Sequence, residues 1–275
     1  MTTFDWHDQS TGQIAIGEAS LEYATWGLAP SKAPTIVMLH EGLGCVALWR
    51  NFPQMVAEAT GCGVFAYSRS GYGQSSGAEL PRPINYMEDE ALNVLPLVLD
   101  AIGFQNGILL GHSDGATISA IYAGSVADYR IRGLILMAPH FFTEQTGLDE
   151  IATARTSYET TDLRPRMAKY HRDPDNAFYG WNDTWTNPEF TNWNVADVID
   201  YLRIPVLAIQ GRQDQYGTLA QIEEIENRIY SPVDVKILED CQHTPHLEKT
   251  SETLASIIEF TNRLRKIENE QVKIA

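Results

Sequence analysis

The feature that most constrains this chain is an alternation. Short β-rich runs, the central ones nearly continuous apolar stretches, are separated by longer stretches whose apolar residues recur at helical spacing. The runs are 35–40 (TIVMLH), 63–68 (GVFAYS), 107–112 (GILLGH), 131–138 (IRGLILMA), 204–210 (IPVLAIQ) and 233–238 (VDVKIL). A strand that is apolar on both faces needs cover on both faces, which is the condition of a parallel sheet between two helix layers. The helical patterns lie at 47–60, 87–102, 116–127, 219–229 and 251–267. Strand, helix and strand in succession predict right-handed βαβ crossovers and an α/β fold. Ahead of them, 13–17 and 21–26 read as an opening antiparallel pair.

One stretch breaks the alternation. From Phe141 to Asp200 no strand pattern appears, yet strand candidates flank it on both sides, so it reads as an insertion and not as a linker. The expected organisation is a core domain of residues 1–140 and 201–275, with 141–200 as a helical cap. The insertion carries ten aromatics in 60 residues, against 10% for the whole chain. Most of them should form a core of the inserted segment, with two or three left to line an apolar ligand site beneath it.

Composition narrows the function classes. The chain has 275 residues, 44% of them apolar, enough for a full core. Its net charge of −16 makes a phosphate-neutralising surface improbable, so no nucleic-acid partner is expected. The excess divides as −7, −6 and −3 over 1–140, 141–200 and 201–275, so it is spread along the chain and not held in a tail. No apolar run is long enough to span a membrane, and the first residues have neither a basic head nor an apolar core of a secretory signal. Cys45, Cys62 and Cys241 are odd in number and far apart, which suits free thiols in a reducing, cytoplasmic setting.

The most informative residues are Gly111-His112-Ser113-Asp114-Gly115. They close a buried strand and open a helix, the context that a G-x-S-x-G nucleophile elbow requires. Small residues on both sides of Ser113 let strand and helix approach closely, and the turn lifts the hydroxyl out of the sheet. A serine needs a positioned base. His243 is favoured, because it comes first after the last strand candidate; His246, three residues on, is its rival. The base needs an acid to orient it. Asp214, just after the 204–210 run, fits better than Asp240, and Asp114, beside the nucleophile, should point elsewhere. The order Ser113, Asp214, His243 is the one expected of this architecture. His40-Glu41-Gly42-Leu43-Gly44 follows a strand, and its glycines let backbone N–H groups reach a substrate oxygen. The expected oxyanion donors are the N–H of Asp114 and that of Gly42 or Leu43. The expected pocket residues are His40, His112, His140, Trp181, Trp185 and Tyr216. Arg69, in a third glycine-rich loop, reads as a buried ion-pair partner. No metal-ligand spacing and no dinucleotide fingerprint is present, so neither a metal nor a cofactor is expected.

Over nearly its whole length the chain resembles the α/β-hydrolase superfamily, in its serine-nucleophile branch with a helical cap. The resemblance rests on HEGLG, YSRSGYGQS, GHSDG, GRQDQYG and CQHTPHLE. It implies a mostly parallel eight-stranded sheet flanked by helices, with a helical cap inserted after strand six. Three positions depart from the usual pattern: Glu41 where many relatives have glycine, Ser68 where many have aspartate, and Ala116 where a second glycine is frequent. A carboxylate at Glu41 must turn away from the charge that develops on the oxyanion. Ser113 in the nucleophile position argues against epoxide hydrolases and haloalkane dehalogenases, which use aspartate there.

The expected activity is hydrolysis of a small, apolar or aromatic carboxylic ester or lactone through an acyl-enzyme on Ser113. The same residues could instead serve a carbon–carbon bond hydrolase, an amidase or an acyl-CoA thioesterase, or the scaffold could act as a ligand receptor. Arg155, Arg164, Arg166, Lys169 and Arg172 face only Glu159 and Asp162 within 155–172, a local +3 that raises the prospect of an anionic substrate. The expected partner is a small molecule, and the expected assembly a monomer or homodimer.

Overall fold

The computed structural model describes residues 4–272. Eight strands form one sheet: β1 (Ser10–Ile16), β2 (Ala19–Trp26), β3 (Thr35–Leu39), β4 (Gly63–Tyr67), β5 (Gly107–His112), β6 (Ile131–Met137), β7 (Val206–Gly211) and β8 (Val233–Leu238). Their spatial order is β1-β2-β4-β3-β5-β6-β7-β8. β2 runs antiparallel to both β1 and β4, and every other neighbouring pair is parallel. The architecture is therefore the mostly parallel sheet expected from the apolar runs.

Period-two alternation explains how those runs serve two layers. On one face Val37, Leu39, Phe65, Leu109, Leu134, Leu136, Val206 and Ala208 meet apolar residues of the helical segment 86–101 and of helices Asp114–Ser125 and Ala220–Arg228. On the other, Ile36, Met38, Val64, Ala66, Ile108, Leu110, Ile135 and Ile209 meet Phe52 and Val56 of helix Phe52–Thr60 and Ile257 and Phe260 of helix Thr250–Val272. Each such side chain taken fully from water stabilises the fold by about 1.5–3 kcal/mol. Helix Asp114–Ser125 is buried without a break from Asp114 to Tyr122, so it has no solvent face and lies at the centre of its layer.

Two of the expected helices start or continue differently. The helix after β5 begins at Asp114, immediately after Ser113, and not at 116. The 47–60 pattern divides into a 3-10 turn, Val46–Trp49, and helix Phe52–Thr60, with Arg50 between them at φ 54°. Pro53 explains the restart, because proline is favoured in the first turn of a helix and disfavoured further in.

Between β6 and β7, residues 141–200 contain helices Gln145–Thr160, Leu163–Met167 and Pro174–Trp185 and two 3-10 turns, and their one β-contact is an isolated bridge from Phe142 to Asn194. Their aromatics stack on one another: Tyr158 on Phe178 at 3.8 Å and Phe190 on Trp193 at 5.1 Å between ring centroids. This cluster is not separate from the rest. It is continuous with the core on the β3–β5 side of the sheet, through Trp181 and Trp185.

Candidate active site

The turn after β5 carries the first candidate side chain, Ser113. Ser113 has φ 53° and ψ −120°, a conformation that costs a non-glycine residue energy and is held by its surroundings. Its N–H donates to Met137 O at 2.8 Å, tying the turn to β6. Glycine at both flanks is a steric need. A Cβ on Gly111 would collide with the carbonyl of Gly115, and one on Gly115 with the carbonyl of Leu39. Asp114 opens the helix, so its backbone N–H has no intrahelical acceptor.

Asp214 and His243 meet. His243 Nδ1 lies 2.8 Å from Asp214 Oδ2 and 3.0 Å from Oδ1. The Asp214 carboxylate is fully buried and also accepts from Gln210 Nε2 at 2.9 Å and from the Tyr216 N–H at 2.8 Å. Burial pulls its pKa upward, but His243 and these hydrogen bonds prevail and hold it below the usual carboxylate range. An ionised carboxylate only accepts, so His243 keeps its proton on Nδ1 and leaves Nε2 as a base. The two rivals lie elsewhere. Asp240 is exposed, and His246 is buried on the far side, its ring 4.8 Å from Trp49 and 5.4 Å from Phe52.

Ser113 and His243 share a cavity of about 100 Å³. The loop after β3 contributes Glu41, Gly42 and Leu43, the elbow contributes Ser113 and Asp114, and the strand-end loops contribute His140, Tyr216 and His243. Residues 141–200 add Ile151, Trp181 and Trp185. Of the expected pocket residues, His140, Trp181, Trp185 and Tyr216 line this space. Tyr216 sets its ring 4.8 Å from His243, and His140 lies 5.5 Å from Trp185. Burial brings the His140 pKa down to about 3, so this ring stands neutral beside His243.

His40 and His112 do not line it; both are fully buried behind it. His40 Nδ1 donates to the carbonyl of Glu41 at 2.7 Å, while its Nε2 accepts the Arg69 N–H at 3.0 Å. That pattern is a neutral imidazole, in keeping with a pKa that burial and then Arg69 push well below the usual value. Arg69 Nη2 adds a second bond to the same Glu41 carbonyl at 3.1 Å. A peptide is planar and trans, so a carbonyl held from one side sends the next N–H, that of Gly42, the other way. Neither the Gly42 nor the Leu43 N–H has an acceptor among the described residues. His112 shares the parity of Ile108 and Leu110 along β5, which sends its ring to the opposite face of the sheet. That parity was available in the sequence.

Arg69 and Asp114 form the buried pair expected of Arg69, at 3.4 Å and each 1% exposed. Tyr86 Oη donates to the same Asp114 oxygen at 2.6 Å, and Trp185 Nε1 donates to Tyr86 at 2.9 Å. Tyr86 and Glu22 are the residues that motif reading missed. Glu22, on β2, accepts from Ser68 Oγ at 2.6 Å and from the Gln74 N–H at 3.0 Å, so a neighbouring strand brings a carboxylate to the place where many relatives have aspartate. The basic stretch of residues 155–172 is not a binding surface for this cavity. Arg155 pairs with Asp183 at 2.6 Å and Arg164 with Asp175 at 2.6 Å, and none of its arginines lines the cavity. Among the described residues no group of three or more His, Cys, Asp or Glu is arranged to hold a metal ion, and no helix is long and apolar enough to cross a membrane.

A family model described as alpha/beta hydrolase fold matches residues 34–156. The fold is that of the α/β-hydrolase superfamily. Solved structures resemble this chain over nearly their full length. A structure reported among the carboxylesterases of the ammonia-oxidizing thaumarchaeon Nitrososphaera gargenis aligns with TM-score 0.74 at 18% identity, covering 93% of this chain and 99% of that one. The enol-lactonase from Burkholderia xenovorans aligns with TM-score 0.69 at 19% identity, covering 91% and 100%. A meta-cleavage product hydrolase from Pseudomonas fluorescens aligns with TM-score 0.67 at 18% identity, covering 92% and 97%. No curated protein sequence matches the chain. At these identities the likeness is one of fold.

Proposed function

We propose that this protein is a serine hydrolase that cleaves a small, uncharged carboxylic ester or lactone, with residues 141–200 as a cap over the site. The observation that carries the reading is the Asp214–His243 contact beside a strained serine at the mouth of a helix. His243 Nε2 takes the proton of Ser113 as Oγ bonds to the carbonyl carbon. The carbonyl π pair moves to oxygen, where the N–H groups of Asp114 and of Gly42 or Leu43 receive the negative charge. Collapse expels the alkoxide, which takes the proton from His243. Water, deprotonated by the same base, then releases the acid and regenerates Ser113.

The cavity suggests the substrate class. At about 100 Å³ it lies below the 300–1,000 Å³ usual for drug-sized ligands, so it suits a short acyl group. Trp181, Trp185 and Tyr216 offer it apolar and aromatic contact, and no arginine or lysine is present to hold a carboxylate. Short p-nitrophenyl esters and small lactones should be turned over by the wild type. The Ser113→Ala variant should stay folded, lose turnover to the uncatalysed level and lose labelling by a fluorophosphonate. Ester hydrolysis that survives in Ser113→Ala, or labelling of the wild type without any turnover, would overturn the reading.

A further inference from the structure

Glu41 poses a problem for the site just described. It directly precedes Gly42, a proposed oxyanion donor, and it lines the cavity. A bare carboxylate there would oppose the charge that develops on the substrate oxygen.

The surrounding contacts resolve this. Glu41 Oε2 lies 3.4 Å from His112 Nδ1, an ion-pair distance. The other nitrogen of that ring, Nε2, meets the carbonyl oxygen of His243 at 2.7 Å. A carbonyl only accepts, so Nε2 carries a proton. Nδ1 has no aligned hydrogen-bond partner among the described residues, but the Glu41 carboxylate stands at ion-pair distance from it and favours a proton there. A proton on each nitrogen would make the ring an imidazolium. The ring is fully buried, which leaves it no water to satisfy either nitrogen. The same carboxylate is folded back over Gly44, where even a Cβ would collide with it.

We propose that Glu41 and His112 are an ionised positioning pair for the hydrolytic site, in which His112 cancels and turns aside the Glu41 carboxylate and so protects the oxyanion donors. The proposal rests on the serine-hydrolase reading above. His112 joins three parts of that site. It precedes Ser113, it pairs with the loop that bears Gly42 and Leu43, and it holds the backbone of the residue assigned as base.

The other ionisable groups around the pair leave the charge on His112. The His246 ring, 5.0 Å away, is driven to about 3 by burial and then by His112, so it stays neutral. His243, 5.1 Å away, is engaged with Asp214, whose charge also favours a protonated His112. His140 is neutral on the cavity side, and His40 is neutral beneath Glu41. Arg69 and Asp114 cancel one another at 3.4 Å. Burial works against an imidazolium, but Glu41 more than offsets it and raises the His112 pKa above the ordinary value. Burial likewise works against the Glu41 carboxylate, and His112 holds its pKa well below the usual range. When His112 loses its proton, a lone pair faces the carboxylate, and the uncompensated charge of Glu41 is left beside the oxyanion donors.

Two measurements test this. Nitrogen-detected NMR of the imidazole rings in the resting protein reads the His112 protonation state whether or not any ester is cleaved. Both nitrogens of His112 should be protonated at pH 7.5 in the wild type, and one should lose its proton in Glu41→Gln. A neutral His112 at pH 7 in the wild type would overturn the proposal. The second measurement is kcat against pH on p-nitrophenyl acetate. The wild type should show an alkaline limb that disappears in Glu41→Gln. His112→Gln should lower kcat about 100-fold, and adding Glu41→Gln to it should restore most of that loss, with KM little changed. A double variant no better than His112→Gln alone would equally refute it. If no ester is turned over by the wild type, the serine-hydrolase reading fails and the NMR result still decides the charge state.

Discussion

Trp181, from the segment between β6 and β7, rests against Gly42: a Cβ on that glycine would collide with the indole Cδ1 and Nε1. A residue that lines the cavity and one of the proposed oxyanion donors are thus in direct contact. Gly42→Ala should displace either the indole or the loop. A misplaced donor costs on the order of 100-fold in kcat, with little change in thermal stability, since no core residue is lost. Trp181→Ala added to Gly42→Ala makes room for the methyl and should recover part of the rate. Steady-state kinetics of the three proteins on a short ester would show it, and an unimpaired Gly42→Ala would refute the contact's importance.

Arg69 donates to two acceptors, the Asp114 carboxylate and the Glu41 carbonyl. Arg69→Met would leave Asp114 buried with only Tyr86 to satisfy it. Orphaning one member of a buried pair costs roughly 3–5 kcal/mol. The urea midpoint should fall accordingly at pH 7. Burial already raises the Asp114 pKa, so the orphaned carboxyl should take up a proton readily, and the loss should shrink at pH 5. Arg69→Met combined with Asp114→Asn should recover part of the stability at pH 7, and a midpoint equal to that of Arg69→Met alone would contradict this account.

His246 is packed neutral between Trp49 and Phe52, and burial brings its pKa from 6.5 down to about 3. Between those values the unfolded chain binds a proton at this site and the folded chain does not. The stability that neutral burial contributes is therefore complete above about pH 6.5 and is lost as pH falls toward 3. The slope is about 1.4 kcal/mol per pH unit for one such group. Urea unfolding of the wild type and of His246→Phe, compared from pH 7 to pH 4, isolates the term because other groups cancel in the difference. The wild type should lose stability relative to the variant on acidification; parallel curves would count against a neutral His246.

Much of the architecture was legible because it rests on local periodicity. The six runs became six parallel strands; the central ones are almost wholly apolar because they are buried on both faces, while β8 at the edge carries Asp234 and Lys236 and is only partly buried. The meeting of Asp214 with His243 follows from both lying in loops after parallel strands, which end at one edge of the sheet. Side-chain direction was read less well. His40 and His112 were expected among the pocket residues, yet the alternation along β5 turns His112 to the other face, and His40 spends both ring nitrogens on backbone groups.

Charge was the least legible quantity. A window of residues 155–172 counts three unpaired positive charges, but Arg155 and Arg164 find Asp183 and Asp175 on a neighbouring helix. The same holds for Glu41, a liability in the sequence that becomes half of an ion pair 71 positions from its partner in the chain numbering. By itself the sequence determined the succession of strands and helices along the chain and the strand–turn–helix at Ser113, because hydrophobic period and turn chemistry are local. Only the tertiary structure decided which charges cancel, which histidines carry a proton and how small the cavity is. Those depend on distances between residues far apart in the chain and on how completely water is excluded from them.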